Sequence, residues 1–254
     1  HTVMGLYQED EPVPFGSFRY RTDKEQRPER LRDFIEECLS GPPRPGAGGP
    51  WPIEGFVFSS VVPEVNHLYQ ETARLLGVRE PLRIGPECRL GIKIGYDRPA
   101  QLGVDRIVNA AAAHHEYRRD AVIVDLGTAV TFCVLHGDGN YDGGLICPGA
   151  GVSSDALARE TAQLSRVDLE KPMGLVARDT VGALRAGLYY GWVSMVEGIV
   201  GRVEKHYGKP FFVLLTGGYA EILAGEMNLD LLVDPLLTMK GIKYIYSLNR
   251  SDAR

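Results

Sequence analysis

Nowhere does this sequence hold an apolar run near the roughly 20 residues that a membrane-spanning helix needs. Its richest apolar stretch, residues 211–215, is only strand-sized. The opening residues lack the basic, apolar and small-residue succession of a secretory signal, so a cytoplasmic location is the expectation. Cysteine is scarce and dispersed. Cys38, Cys88, Cys133 and Cys147 form no CxxC pair, which argues for reduced thiols and against a zinc site. Basic residues are in deficit, 28 Lys and Arg against 33 Asp and Glu, for a net charge of -5. That balance argues against nucleic acid as the main partner, because binding a phosphate backbone needs an excess of cations. Small anions stay within reach of a helix N-terminus or a local cluster.

What the chain does contain is a balanced globular composition, 44% hydrophobic and 24% charged over 254 residues. That is enough for one large domain or two modest ones. Residues 2–7 and 18–21 read as strands, with the acidic stretch 8–10 as a turn. From Pro28, the apolar Leu31, Phe34, Ile35, Cys38 and Leu39 recur at helical spacing, with the proline where a first turn tolerates it. Residues 41–52 are dominated by glycine and proline, which predicts an irregular surface loop without chemistry. A buried strand over 56–62 and a helix over 63–76 follow, then an alanine-rich helix over 106–117. The pattern restarts with strands at 121–125 and 131–135, another ending at Ile146, a helix over 180–206 and a strand over 211–215. Alternation of this kind implies an α/β layer structure.

The restart has a further meaning. Asp125-Leu-Gly-Thr128-Ala-Val-Thr131-Phe-Cys-Val-Leu135 is a strand-turn-strand, and Thr2-Val-Met-Gly-Leu6 is like its outgoing strand, Thr2 falling on Thr131. An internal duplication accounts for this, the first half lacking the incoming strand and turn. Chance likeness of two short strands is the alternative.

Three regions carry candidate chemistry. In Asp125-Leu-Gly-Thr128 an acidic residue closes an apolar strand before a Gly-Thr turn. The glycine admits a phosphate or metal close to the backbone, and the carboxylate and hydroxyl are hard oxygen ligands. A plain hairpin turn would use an aspartate too. Gly143-Gly144-Leu-Ile-Cys-Pro148-Gly149-Ala-Gly151-Val-Ser153-Ser154 runs a strand through a glycine-rich turn into a helix. That helix N-terminus favours an anion, or the serines merely cap it. Thr216-Gly217-Gly218 repeats the strand-to-glycine turn, and the pair suggests a nucleotide cradle. In Tyr96-Asp-Arg-Pro99-Ala-Gln-Leu-Gly103-Val-Asp105-Arg106-Ile-Val-Asn109, an aspartate and an arginine open a helix. The helix dipole accounts for the aspartate; the arginine would hold an anion or a polar ligand. With Tyr96 nearby, such a pair suits activation of a hydroxyl. His114-His115-Glu116 fails the HExxH spacing and reads as a solvated helix end.

Taken in order, Tyr-x-x-Pro-x-x-Leu-Gly-x-Asp-Arg-x-x-Asn, Asp-x-Gly-Thr-Ala-x-Thr, Gly-Gly-x-Ile-x-Pro-Gly-x-x-x-Ser and Thr-Gly-Gly make the chain resemble type III pantothenate kinases over nearly its whole length. Ser59-Ser60-Val-Val-Pro63 and Leu237-Thr-Met-Lys-Gly241 match further family segments. The resemblance implies two ribonuclease-H-like lobes of the acetate and sugar kinase, heat-shock chaperone and actin superfamily, with ATP in the cleft between them. The lobes are expected at residues 1–112 and 113–254. The implied reaction moves the γ-phosphoryl of ATP, as its Mg2+ complex, to the primary hydroxyl of pantothenate, the first step of coenzyme A biosynthesis. By position, Asp105 matches the general base, and Tyr96, Gly103, Val104, Asp105, Arg106 and Thr180 match pantothenate contacts. Asp125 matches the ligand of a monovalent cation, K+ or NH4+, and Thr128 an ATP contact, with His1, Thr2 and Val3 at the phosphate-cradling start. The family is a homodimer whose second subunit helps to close the pantothenate pocket, and Thr161 could reach across. Neither nucleic acid nor a membrane is implied as a partner. A kinase of the same fold for another small hydroxylated or acidic metabolite, or a non-catalytic accessory factor, are the alternatives.

The main departure is at the front. There the family carries an Asp-x-Gly-Asn-Thr loop that cradles the ATP phosphates, its aspartate acting through magnesium; here only His1, Thr2 and Val3 stand in that region. A chain truly beginning at His1 is expected to have almost no kinase activity. A start left out upstream is the favoured expectation, because a lobe without its first central strand would expose unpaired edges.

Overall fold

The computed structural model describes residues 2–8, 11, 14–21, 23–40, 52–161 and 163–250. The expectations for His1 and for the loop up to residue 51 lie outside these described residues. In chain order the strands are β1 (Thr2–Leu6), β2 (Gly16–Tyr20), β3 (Val57–Phe58), β4 (Leu82–Arg83), β5 (Lys93–Ile94), β6 (Ala121–Leu126), β7 (Ala129–Leu135), β8 (Asn140–Pro148), β9 (Phe212–Thr216) and β10 (Leu231–Val233). The helices are α1 (Pro28–Leu39), α2 (Asn66–Leu75), α3 (Val104–Tyr117), α4 (Ala150–Glu160), α5 (Thr180–Tyr207), α6 (Ala220–Ala224) and α7 (Leu237–Arg250). They form two compact units. One is His1–Leu90 with Ala100–Val108 and Thr238–Arg254; the other is Gly91–Pro99 with Asn109–Leu237.

The second unit rests on a six-stranded sheet in the order β10-β9-β6-β7-β8-β5. β6 is antiparallel to β7 and parallel to β9, so Asp125 stands opposite Thr131 on one side and Thr216 on the other. β8 continues the antiparallel run, β10 the parallel one, and β5 adds parallel to β8. The five strands from β8 to β10 have the ribonuclease-H-like succession. A strand with neighbours on both edges and cover on both faces loses the polar alternation of a half-buried strand. Ala121, Val122, Ile123, Val124 and Leu126 are accordingly all buried.

On one face, Val122, Val124 and Leu126 pack with Tyr189, Val193, Val196 and Val200, a stripe at helical spacing on α5. The Asp179 side chain caps that helix by accepting the Gly182 N–H at 2.8 Å. At its far end Gly208, φ 67°, turns the chain away. α3 follows the same sheet. Asn109 donates to Asp125 at 3.1 Å, and eight residues on, the Tyr117 ring lies 5.4 Å from that of Phe212. α3 is buried all round at Ala110 to Ala113, whose side chains are small enough for close approach.

The first unit pairs β1 with β2 antiparallel and β3 with β4 parallel. Its core joins Leu31 and Ile35 of α1 to Phe58, Val65, Leu68 and Tyr69. The order β1-β2-α1-β3-α2-β4 follows β7-β8-α4-α5-β9-α6-β10 element by element, counting α4 and α5 against α1. In the second unit the corresponding antiparallel and parallel pairs flank β6; among the described residues no strand lies between β1 and β3. α7 joins this unit through Asn249, which accepts the Arg89 N–H at 3.0 Å and donates to its carbonyl at 2.9 Å. Gly241 allows the crossing with α3, since a Cβ there would come within 2.1 Å of the Val108 carbonyl.

Some expectations change. The strand read over 56–62 shrinks to Val57–Phe58, because the Ser60 hydroxyl accepts the Val62 N–H at 3.1 Å and bends the chain. The helix read over 63–76 is a 3-10 turn, Pro63–Val65, followed by α2. His114 packs against the Gly139 turn, its basicity lowered first by burial, while His115 and Glu116 are exposed. Among the described residues no helix is long and apolar enough to cross a membrane.

Just before β6, Lys209 donates to Asp120 Oδ2 at 2.6 Å and the Gly137 N–H to Oδ1 at 2.9 Å. The Lys209 hydrogen bond is the main reason the Asp120 carboxyl is held below its usual range; burial opposes it, and the Gly137 N–H and nearby positive charge add to the lowering. A carboxyl depressed in the folded state stabilises above about pH 4 and loses that contribution as pH falls through its folded value. Asp120→Asn is therefore expected to lower Tm by about 1–3 °C at pH 7, the modest size reflecting an exposed pair. The deficit should shrink as pH falls below about 4 in melts followed by circular dichroism. An equal deficit at every pH would contradict the assignment.

Candidate active site

The end of β6 is where glycine turns converge. β6 and β7 are joined through Gly127 and Thr128, and the Gly149 N–H bonds to the Thr128 carbonyl at 3.0 Å. A Cβ on Gly149 would fall 2.3 Å from the carbonyl oxygens of both Gly127 and Thr128, so this packing requires glycine. From the parallel side, Tyr219 N–H reaches the Leu126 carbonyl at 3.2 Å. Gly217 has φ +91°, and a Cβ there would lie 2.5 Å from Asp125 Oδ1. Asp125 is half-buried in this ring, its Oδ2 accepting the Asn109 amide at 3.1 Å. In register beside it stand Thr131 and Thr216, both buried, so a hydroxyl–carboxylate–hydroxyl row crosses three adjacent strands. Thr128, at the tip of the turn, is exposed.

The structure thus brings Asp125 and Thr128 together and adds Asn109, Gly149 and Gly217. Asn109 was legible only as the last member of the Tyr96–Asn109 motif, with nothing local to give it a partner. The serines after Gly149 do not cap α4. Gly149 is the N-cap without a side-chain bond, Ser153 N–H returns to the Gly149 carbonyl at 3.0 Å, and the Ser154 hydroxyl turns to Val167.

Gly103, Val104, Asp105 and Arg106 share the first turn of α3, in the first unit. The Gly103 carbonyl accepts the Arg106 and Ile107 N–H groups at 3.1 and 3.2 Å. Asp105 Oδ1 accepts the same Arg106 N–H at 2.9 Å, a second acceptor for that donor at the helix start. A Cβ on Gly103 would lie 2.5 Å from that same oxygen, so glycine here gives the carboxylate its place. Asp105 is half-buried, whereas Arg106 is only 4% exposed, unusual for an arginine and a sign of a specific environment.

Thr2 and Val3 lie on β1 of the first unit. The Thr2 hydroxyl and that of Tyr69 are 2.7 Å apart, and Val3 is exposed. Tyr96 belongs to the second unit, half-buried, its ring 6.3 Å from that of Tyr141. Thr180, also there, is the exposed first residue of α5. It borders an open groove of about 700 Å³ whose lining includes Ser153, Leu157, Leu164, Leu184 and Trp192. Thr161 donates its hydroxyl to the Leu157 carbonyl at 2.7 Å, closing its own helix end.

Comparison with known proteins bears directly on these motifs. Among solved structures, a Campylobacter jejuni protein described as a Baf family transcriptional activator superposes with a TM-score of 0.55. It is 20% identical, with 79% of this chain and 86% of that chain covered. The ethanolamine utilization protein EutJ from Carboxydothermus hydrogenoformans gives 0.50 at 14% identity, covering 96% of this chain and 85% of that one. These likenesses concern fold alone. In sequence, the type III pantothenate kinase of Brevibacillus brevis is 38% identical over 249 residues, covering 98% of this chain and 95% of that protein. A family profile for type III pantothenate kinase matches residues 1–202, a span that takes in the α3 turn, Asp125 with its Gly127–Thr128 turn, and Thr180. On that agreement of sequence, motif order and fold, the chain belongs to the type III pantothenate kinase family.

Proposed function

We propose that this chain phosphorylates pantothenate on its primary hydroxyl at the expense of ATP, with Asp105 as general base. The observation that carries the reading is the state of Asp105. Its carboxylate is half-exposed in the first turn of α3, held by the Arg106 N–H and given room by Gly103. Phosphoryl transfer asks little covalent chemistry of a protein, so positioning and charge dominate. As the pantothenate oxygen bonds to phosphorus, its proton passes to the Asp105 carboxylate, and the bond to the bridging oxygen of ADP breaks with its electrons. In the same reading Tyr96, Gly103, Val104, Arg106 and Thr180 hold pantothenate, while Thr128 with His1, Thr2 and Val3 serves the nucleotide.

Asp125 suits a hard monovalent cation, K+ or NH4+. Its Oδ1 faces the bare Cα of Gly217, where any side chain would intrude within 2.5 Å. When bound, that cation and the Mg2+ of the nucleotide supply positive charge against the polyphosphate. A homodimer belongs to the same proposal. Its support is the set of exposed apolar side chains Met173, Leu175, Val176 and Val181, just before and at the start of α5.

Asp105→Asn keeps an oxygen for the Arg106 N–H, so the fold should persist while kcat falls by about 10²–10⁴. Phosphopantothenate measured by mass spectrometry, against a panel of sugars and acetate, is the readout. Retained turnover, or preference for another acceptor, rejects the reading. Asp125→Asn should erase any excess of activity in K+ over Na+; a variant that still responds to K+ places the cation elsewhere. Val176→Asp should convert a dimer to monomer in light scattering coupled to size exclusion, and an unchanged mass would exclude this surface.

A further inference from the structure

Between α4 and α5 the described residues of 161–179 form neither helix nor strand. Such a strap makes few backbone bonds of its own and keeps its place only where the body holds it. Its course matters, because strap residue Leu164 lines the groove that Thr180 borders, together with Ser153 and Leu157 of α4.

One buried clasp holds it. Ser154, 3% exposed on α4, donates its hydroxyl to the Val167 carbonyl at 2.7 Å and accepts the Val167 N–H at 2.9 Å. Both backbone groups of one strap residue are thereby satisfied by one side chain. Val167 and Leu169 then enter the core at 7% and 5% exposure, whereas Met173, Leu175 and Val176 further along stand in solvent. Ion pairs from the strap, Arg166 to Asp155 at 2.9 Å, Lys171 to Glu226 at 2.9 Å and Glu170 to Arg185 at 3.6 Å, join largely exposed groups and hold it weakly. Because α4 starts at the Gly149 turn, the helix that carries the clasp is itself anchored on the carbonyls of Gly127 and Thr128.

We propose that Ser154 is a positioning residue for the acceptor: by clasping Val167 it keeps the Leu164 wall formed beside Thr180. The proposal rests on assigning Thr180 to pantothenate. Loss of the hydroxyl leaves a buried N–H and carbonyl without partners, which opens the strap. Pantothenate would then meet an unformed wall, while the nucleotide turn is untouched.

Ser154→Ala is expected to raise KM for pantothenate about three- to ten-fold, with kcat and KM for ATP within about two-fold. Hydrogen exchange at the Val167 amide should quicken by about ten-fold or more. Ser154→Thr, which keeps the hydroxyl, should restore both. An unchanged KM for pantothenate overturns the proposal even if exchange quickens. A joint loss of kcat and both KM values with a fall in Tm also overturns it, by marking a purely structural role. Thr180→Ala separates the two assignments. If that variant leaves KM for pantothenate unchanged, the Thr180 reading fails, while Val167 exchange and the KM of Ser154→Ala still decide the clasp.

Discussion

β6 is hydrogen-bonded along both edges and covered on both faces, which leaves its last residues a single conformation. Asp125 is the first place along that strand where a polar side chain appears, and the sheet delivers it between Thr131 and Thr216. Glycine keeps this end of the strand open, and at Gly149 and Gly217 no other residue would fit. Gly127 turns the chain, Gly149 lies on the carbonyls of that turn, and Gly217 lies against the carboxylate. A half-buried carboxylate in so confined a ring costs desolvation, and the Asn109 amide offsets part of it. Rigidity at the site therefore comes from the sheet, and openness from the missing side chains.

Much of this was legible because it is local. The apolar run 121–124 followed by Asp, Gly and Thr announces a buried strand with a polar end, and β6 and its turn sit where those residues are. The long apolar periodicity from Thr180 gives α5 to within one residue of its expected end. The order of elements is alike in the two units, since β1 and β7 each open an antiparallel pair followed by helix and a parallel pair. Two-residue strands such as β4 and β5 leave no period to find, and they escaped.

The rest was hidden because its meaning lies in a distant partner. Asn109 reads as one more polar residue in an alanine-rich helix until its amide meets a carboxylate 16 residues on. Ser154 reads as a capping residue, since serine near a helix start usually is one. The N-cap is Gly149, whose own backbone has no room for a side chain, so the serine is free to bond across to Val167. The C-terminal helix gave a family-like segment at 237–241, but nothing in that segment says that Gly241 is small to meet Val108 in the first unit.

The two acidic residues at the centre of the functional reading are treated oppositely by their surroundings. Asp105 is at a helix start, one oxygen tied to a backbone N–H by a bond that a helix would make with any acceptor there. A carboxylate held in that way is oriented by the fold yet still reachable, which is what proton transfer from an alcohol asks of it. Asp125 is enclosed by turns and a side-chain amide, a neutral donor that aims a carboxylate without cancelling its charge. Retained charge in a small oxygen-lined space favours a cation over a proton acceptor. In the proposed reading the same side chain serves two chemistries, set apart by the difference between a helix end and a ring of glycines.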